Sequence, residues 1–278
     1  MIIRSDWHIH TEASYDASLP LRQILQDAQR LGITKLGIAD HLNFNDRSFI
    51  ANIHQSVRDV KALQADFPQL VMGVELTPIE KPLFDYIAKT GTRDGFVPPA
   101  APVPYDIELA MTKEELKALG IRYAVGAAHW RVDIPYARKQ PLDRDVIIRE
   151  WFRQQMWLAC DERVTILGHP WYIGEGLWYD DFNHIPRSMN GEIAAALKEN
   201  GKYVECCEGM LCDPKATERF RHQYAEFLRE LFEMGIPVTY GSDSHDVYAP
   251  DVKEMETYLL AAGFRDGDIG VVKDSDLW

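Results

Sequence analysis

Seven short apolar runs, alternating with segments of helical periodicity along most of the length, set the limits on how this chain can fold. The runs lie at 2–7, 35–39, 70–76, 122–128, 164–168, 202–206 and 237–241. Between the first two, Leu21, Ile24, Leu25, Ala28 and Leu31 share one helical face. Further helical segments are read at 47–66, 112–119, 143–160, 191–200 and 216–234. Thr112 followed three residues later by Glu115 fits a capping box, and Gly32, Gly120, Gly201 and Gly235 stand where a left-handed residue would end a helix. Strands that alternate with helices pair in parallel and are buried on both faces, which makes this an α/β fold. At 278 residues a closed barrel is favoured over an open doubly wound sheet. No domain boundary interrupts the pattern, so 1–278 reads as a single domain. The stretch 77–111, rich in proline, is too long for an ordinary connection and reads as an irregular loop insertion after the third strand, lying over one barrel end.

Composition narrows the function. With 46% apolar and 26% charged residues the chain is neither disordered nor fibrous, and no apolar window approaches the length of a membrane span. A net charge of −13 repels a phosphate backbone and argues against nucleic acid as a partner. Cys160, Cys206, Cys207 and Cys212 form no C-x-x-C pair and read as reduced thiols of a cytoplasmic protein. Chemically loaded residues begin at Asp6, which leaves no room for a cleavable leader.

The strand ends carry the chemistry. His8 and His10 follow the first run, Asp40 and His41 the second; Glu75 ends the third; His129 follows the fourth, His169 the fifth, and Asp243 and His245 the last. Each has a plain reading by itself: a capping Asp40, a salt-bridged Glu75, a turn at His169-Pro170. In a parallel barrel, however, these ends meet on one face, where the loops build the active site. Imidazoles and carboxylates without thiolate suit zinc, manganese or iron, and the set is too large for one tetrahedral ion, so two or three divalent ions are expected. Three such ions would outweigh Asp16, Glu75 and Asp243 by about three charges, making a local anion site in an acidic protein.

The series Asp6-Trp7-His8-Ile9-His10-Thr11, Ala39-Asp40-His41, Gly73-Val74-Glu75, Ala127-Ala128-His129, Leu167-Gly168-His169-Pro170 and Gly241-Ser242-Asp243-Ser244-His245 resembles the PHP (polymerase and histidinol phosphatase) superfamily. The resemblance implies a distorted (β/α)7 TIM-like barrel, a trinuclear metal centre and phosphoesterase chemistry. By position it implies His8, His10, Glu75 and Asp243 around one ion, Glu75, His129 and His169 around a second, and Asp16, His41 and His245 around a third. Asp16 stands where the family uses an Asp or a His. A hydroxide bridging two ions at Glu75 would attack phosphorus, with no covalent protein nucleophile. The insertion at 77–111 departs from the common family length.

Candidate phosphate contacts are Arg131, two residues after His129, with Arg47 and Arg138 as weaker ones. Trp171, Tyr172, Trp178 and Tyr179 offer rings for stacking or for packing a long loop. The expected activity is a metal-dependent hydrolase that removes phosphate from a small phosphomonoester. The alternatives are a phosphodiesterase or nuclease, a C–N hydrolase of the amidohydrolase type, and a regulatory module that has lost its metals. Glu75 at the third strand end, with no lysine at any strand end to form a bridging carbamate, separates the chain from amidohydrolases.

Overall fold

β1 (Ser5–Ile9) is buried at all five residues, as a strand wrapped by helices must be. The computed structural model describes residues 2–99, 107–129, 144–173 and 179–278. After β1 the chain forms α1 (Leu21–Leu31), β2 (Lys35–Ile38), β3 (His41–Leu42) and α2 (Arg47–Leu63). Leu21, Ile24, Leu25 and Ala28 are the buried face of α1, and Gly32 at φ 76° ends it. Next come β4 (Leu70–Leu76), β5 (Ile79–Glu80), α3 (Lys81–Thr90), β6 (Ile107–Glu108) and α4 (Lys113–Leu119), the last with the Thr112–Glu115 capping box formed reciprocally. β7 (Tyr123–Gly126), α5 (Arg144–Cys160), β8 (Ile166–Leu167), α6 (Arg187–Glu199) and β9 (Tyr203–Cys207) follow. The described chain closes with α7 (Glu208–Leu211), α8 (Glu218–Glu233), β10 (Val238–Gly241) and α9 (Val252–Ala261).

The strands run in the order β1-β2-β4-β7-β8-β9-β10, all parallel, with β3 extending the edge of β4. The seven-stranded α/β barrel expected from the sequence is therefore present. Its seam is short: Asp243 N donates to His8 O at 2.8 Å and His10 N donates to Ser244 O at 3.0 Å. The residues that join β10 to β1 are thus the same ones that carry candidate ligands.

Side chains alternate between two cores. Leu70, Met72, Val74 and Leu76 of β4 face the helices, while Trp7, Val71, Tyr123, Val125, Ile166 and Tyr203 form a separate cluster inside the barrel. Trp7 and Tyr123 meet edge to face at 5.3 Å, and the Tyr123 hydroxyl donates to Trp7 O at 2.8 Å. The same parity carries Val71-Gly73 up to Glu75, and Tyr123-Val125-Ala127 up to His129. In β1 the register shifts between Asp6 and Ile9, a bulge of the kind that re-aims side chains beside a site.

Part of the proline-rich stretch is regular. Pro82 sits in the first turn of α3, where its missing N–H costs nothing, and β5 pairs antiparallel with β6. Residues 100–106 of that stretch lie outside the described residues.

Candidate metal centre

Glu75, at the C-terminal end of β4, is fully buried with five imidazoles around its carboxylate. His8 Nε2 is 3.6 Å from Oε1, His129 Nε2 3.4 Å and His169 Nε2 3.3 Å; His10 Nε2 is 3.5 Å from Oε2, and His41 Nδ1 also lies against Oε2. Asp243 Oδ1 stands 3.0 Å from His10 Nε2 and 3.5 Å from His8 Nε2. Asp16 Oδ2 is 3.3 Å from His41 Nε2 and 3.9 Å from His245 Nε2, and the His10 ring stacks against both His41 and His245 at 4.3 and 4.1 Å, those two rings lying 5.7 Å apart. The nine candidate ligands therefore converge on one rim of the barrel, whereas Asp40, also singled out at a strand end, is buried and accepts from Thr11 N and the Thr11 hydroxyl instead.

Hydrogen bonds at the backs of three rings fix which nitrogen faces inward. His8 Nδ1 donates to Glu205 Oε1 at 2.8 Å. His245 Nδ1 donates to the Asp243 carbonyl at 2.8 Å. Thr77 donates its hydroxyl proton to Asn43 Oδ1 at 2.9 Å, so its oxygen accepts from His129 Nδ1 at 3.1 Å. In each case the Nε2 lone pair is turned toward the cluster.

Burial and crowding set the charges. Burial alone would raise Glu75, but His41, His129 and His8 hold it well below the usual carboxylate range. Burial alone would lower His41, but Glu75 and Asp16 push it up to about 10. Burial lowers His10 to about 3, with His41 adding to it, and lowers His129 to about 4. Burial alone would lower His8 and His169 too, but nearby carboxylates push them up as they do His41, so a metal, which binds neutral imidazoles and ionised carboxylates, would displace protons from these three rings.

Three overlapping groups have ligand atoms within 4.8 Å of one another: His8, His10 and Asp243; His10, His41 and His245; His41, Glu75 and His129. Among the described residues His8 Nε2 and His169 Nδ1 are buried without a hydrogen-bond partner. Each such orphan costs about 1–3 kcal/mol unless something binds it. Nitrogen and carboxylate donors in this density fit divalent ions. His41 is shared between Asp16, Glu75 and His245 rather than confined to the outer group that the resemblance implies.

Glu205, on β9, is a functional residue the sequence reading passed over. Oε1 orients His8 and Oε2 accepts from the His169 backbone, while Gly241 on β10 leaves it room, since a Cβ there would overlap the carboxylate. Its signal was a lone glutamate inside the apolar strand Tyr203–Cys207. Asp6 likewise accepts from His8 N, Ser242 N and the Tyr248 hydroxyl, tying β1 to the loop after β10; burial raises it to about 7.

Arg47 lies exposed at the first turn of α2, with its guanidinium close to Gly91 and no described contact to the cluster. Arg131, Arg138 and Trp178 lie outside the described residues. Trp171 and Tyr179 are buried in packing with Phe182 and Phe220, whereas Tyr172 is exposed beside His169. All four cysteines are unpaired, and no helix among the described residues is long and apolar enough to cross a membrane.

No curated protein sequence matches the chain. Among solved structures, histidinol phosphate phosphatase from Lactococcus lactis subsp. lactis Il1403, complexed with zinc, L-histidinol and phosphate, superposes with a TM-score of 0.65 at 19% identity, covering 94% of both chains. The structures of YwqE from Bacillus subtilis and CpsB from Streptococcus pneumoniae, described as metal-dependent tyrosine phosphatases, give a TM-score of 0.45 at 16% identity, over 94% of this chain and 87% of theirs. The first comparison establishes a shared fold. The PHP domain family matches residues 6–208, well over half of the 278, and the chain belongs to that family.

Proposed function

We propose that this chain is a metal-dependent phosphatase acting on a small phosphomonoester. One observation carries the reading: a fully buried Glu75 stands among the imidazoles of His8, His129 and His169, whose Nε2 atoms face it, at the rim of a PHP barrel. His8, His10, Asp243 and Glu75 would hold one ion, with His129 and His169 completing a second around Glu75, and Asp16, His41 and His245 serving a third. Two or three ions of zinc, manganese or iron suit these donors. Zinc together with phosphate in the solved phosphatase of the same fold supports zinc among them.

When bound, such ions acidify water and neutralise phosphoryl oxygens. The chain itself supplies position. His8, His10 and Glu75 are sealed from solvent, whereas His129, Asp243, His245 and Asp16 are partly exposed, so substrate approaches from their side. Glu205 and Thr77 hold His8 and His129 in the tautomers that ligation needs. The reading takes 1–278 as one catalytic domain with a loop insertion at 77–111, and the unpaired thiols support a cytoplasmic location.

A phosphodiesterase or nuclease would use the same centre, but the net charge of −13 disfavours a polyanionic substrate. Metal-loaded protein is expected to hydrolyse p-nitrophenyl phosphate and not its bis ester, and His129→Ala is expected to abolish turnover with the barrel still folded. Turnover of the bis ester alone, or full activity in His129→Ala, would overturn the reading.

A further inference from the structure

The first loop, residues 11–18, is tied at three points to the chain segments that supply His41 and His245. Its start is clamped by Asp40, the neighbour of His41: Thr11 N donates to Asp40 Oδ1 at 2.6 Å and the Thr11 hydroxyl donates to Oδ2 at 2.8 Å, with Ser56 of α2 donating to Oδ2 as well. Thr11, Asp40 and Ser56 are all buried. The middle of the loop is held by Ser14, whose Oγ accepts from the His41 N–H at 3.0 Å. Its end is held by Ser18, whose N–H donates to the His245 carbonyl at 3.1 Å. Asp16 lies between the last two ties.

Ser14 also meets a candidate ligand ring. Its side chain is buried, and Oγ lies 3.4 Å from His10 Nδ1. His10 turns Nε2 toward Asp243 and Glu75, at 3.0 and 3.5 Å, so as a ligand it carries its proton on Nδ1 and donates it to Oγ. One serine oxygen therefore uses its two lone pairs on two histidines, the ring of His10 and the backbone of His41, whose rings stack at 4.3 Å. The turn that carries Ser14 is itself fixed by Thr11: Ser14 N donates to Thr11 O at 2.8 Å and Ala13 N to Thr11 Oγ1 at 3.1 Å. His8 and His129 are held by other residues, Glu205 and Thr77.

We propose that Ser14 is a positioning residue for the outer ion of the centre, joining the loop that carries Asp16 to His10 and His41 so that the donors of that ion arrive together. The proposal rests on the metal-centre reading given above. Removing the Ser14 hydroxyl frees the His10 ring and the His41 backbone while leaving Glu205 and Thr77 in place behind His8 and His129, so the effect falls on one ion rather than on the whole centre.

The test equilibrates wild type and Ser14→Ala with zinc buffered at graded free concentrations, counts bound zinc by elemental analysis, and locates it by anomalous diffraction at the zinc edge. In Ser14→Ala the ion at Asp16, His41 and His245 is expected to need about tenfold more free zinc or greater, with its anomalous peak lost at concentrations where zinc beside His8, Glu75 and Asp243 persists. Thr11→Val, which removes the hydroxyl shared by Ala13 N and Asp40 and so loosens the turn carrying Ser14, is expected to shift the same ion and decides the matter should Ser14→Ala not fold. Zinc loading unchanged from wild type, or weakened equally at every site, would overturn the proposal while leaving the metal centre intact. Wild type that binds no zinc at this rim would overturn the metal-centre reading and this proposal with it.

Discussion

Glu205 Oε1 lies 2.8 Å from Nδ1 of His8, at the edge of the ring opposite Glu75, whose Oε1 is 3.6 Å from Nε2. One imidazole is therefore held between two carboxylates with different tasks. An ionised carboxylate only accepts, so Nδ1 carries the proton and Nε2 is left as a donor to a metal. In Glu205→Gln the amide can donate to Nδ1 and favour the opposite tautomer. Metal affinity is expected to fall about 10- to 100-fold with little change in fold, read by elemental analysis after dialysis against graded chelator. Unchanged metal retention would remove Glu205 from the account.

Gly241 makes that arrangement sterically possible. A methyl group there would overlap the Glu205 carboxylate and approach His8 Cβ to 2.8 Å. Gly241→Ala is expected to cost about 1–3 kcal/mol in denaturant unfolding. Combining it with Glu205→Ala should restore part of the loss, because the two changes share one space. Additive losses would place the strain elsewhere.

How much of this was legible in the sequence depends on where the information lies. Leu21, Ile24, Leu25 and Ala28 announce α1 because a helix must turn one stripe inward. The nine strand-end and loop residues could be gathered because parallel strands deliver their C-terminal ends to one rim. Glu205 was missed because it acts through His8, a contact spanning 197 positions that no local spacing encodes. Pro82 obscured α3, since a proline in a proline-rich stretch looks like a breaker although it occupies a first turn. The group Trp171, Tyr172 and Tyr179 could be read as stacking or packing, and only the fold shows that Trp171 and Tyr179 are buried while Tyr172 stays exposed.

A second carboxylate tests the scaffold beneath the site. Asp161 accepts from Arg163 at 2.8 and 2.7 Å, and Arg163 also reaches Glu108 at 2.7 Å and the Met111 carbonyl at 3.1 Å. Burial alone would raise Asp161, but Arg163 holds it below its ordinary 3.8. The unfolded chain therefore takes up this proton first as pH falls, so the contribution is complete above the ordinary value and is lost as pH drops through the folded one. Asp161→Asn should be less stable than wild type by about 1–2 kcal/mol at neutral pH, and the gap should narrow below about pH 4. Denaturant titrations across that range check it; a gap independent of pH would contradict it.

Ions bound only to the folded state must stabilise it. With free metal at about a hundred times its Kd, one site contributes about 2.7 kcal/mol, which for a chain of this size is roughly 5–10 °C in Tm. Chelator treatment followed by thermal melting should show a loss of that order, reversed by zinc, manganese or iron(II). An identical melt with and without chelator would contradict metal loading.

The central claim is that Glu75 joins histidines from separate strands into one centre for two or three divalent ions. Anomalous diffraction above the absorption edge of the metal supplied tests it most directly. The account predicts at least two peaks within coordination distance of His8, Glu75, His129 and Asp243, with those peaks lost in Glu75→Gln. Crystals grown with metal that show no peak at this rim, or an unchanged set in Glu75→Gln, would contradict it.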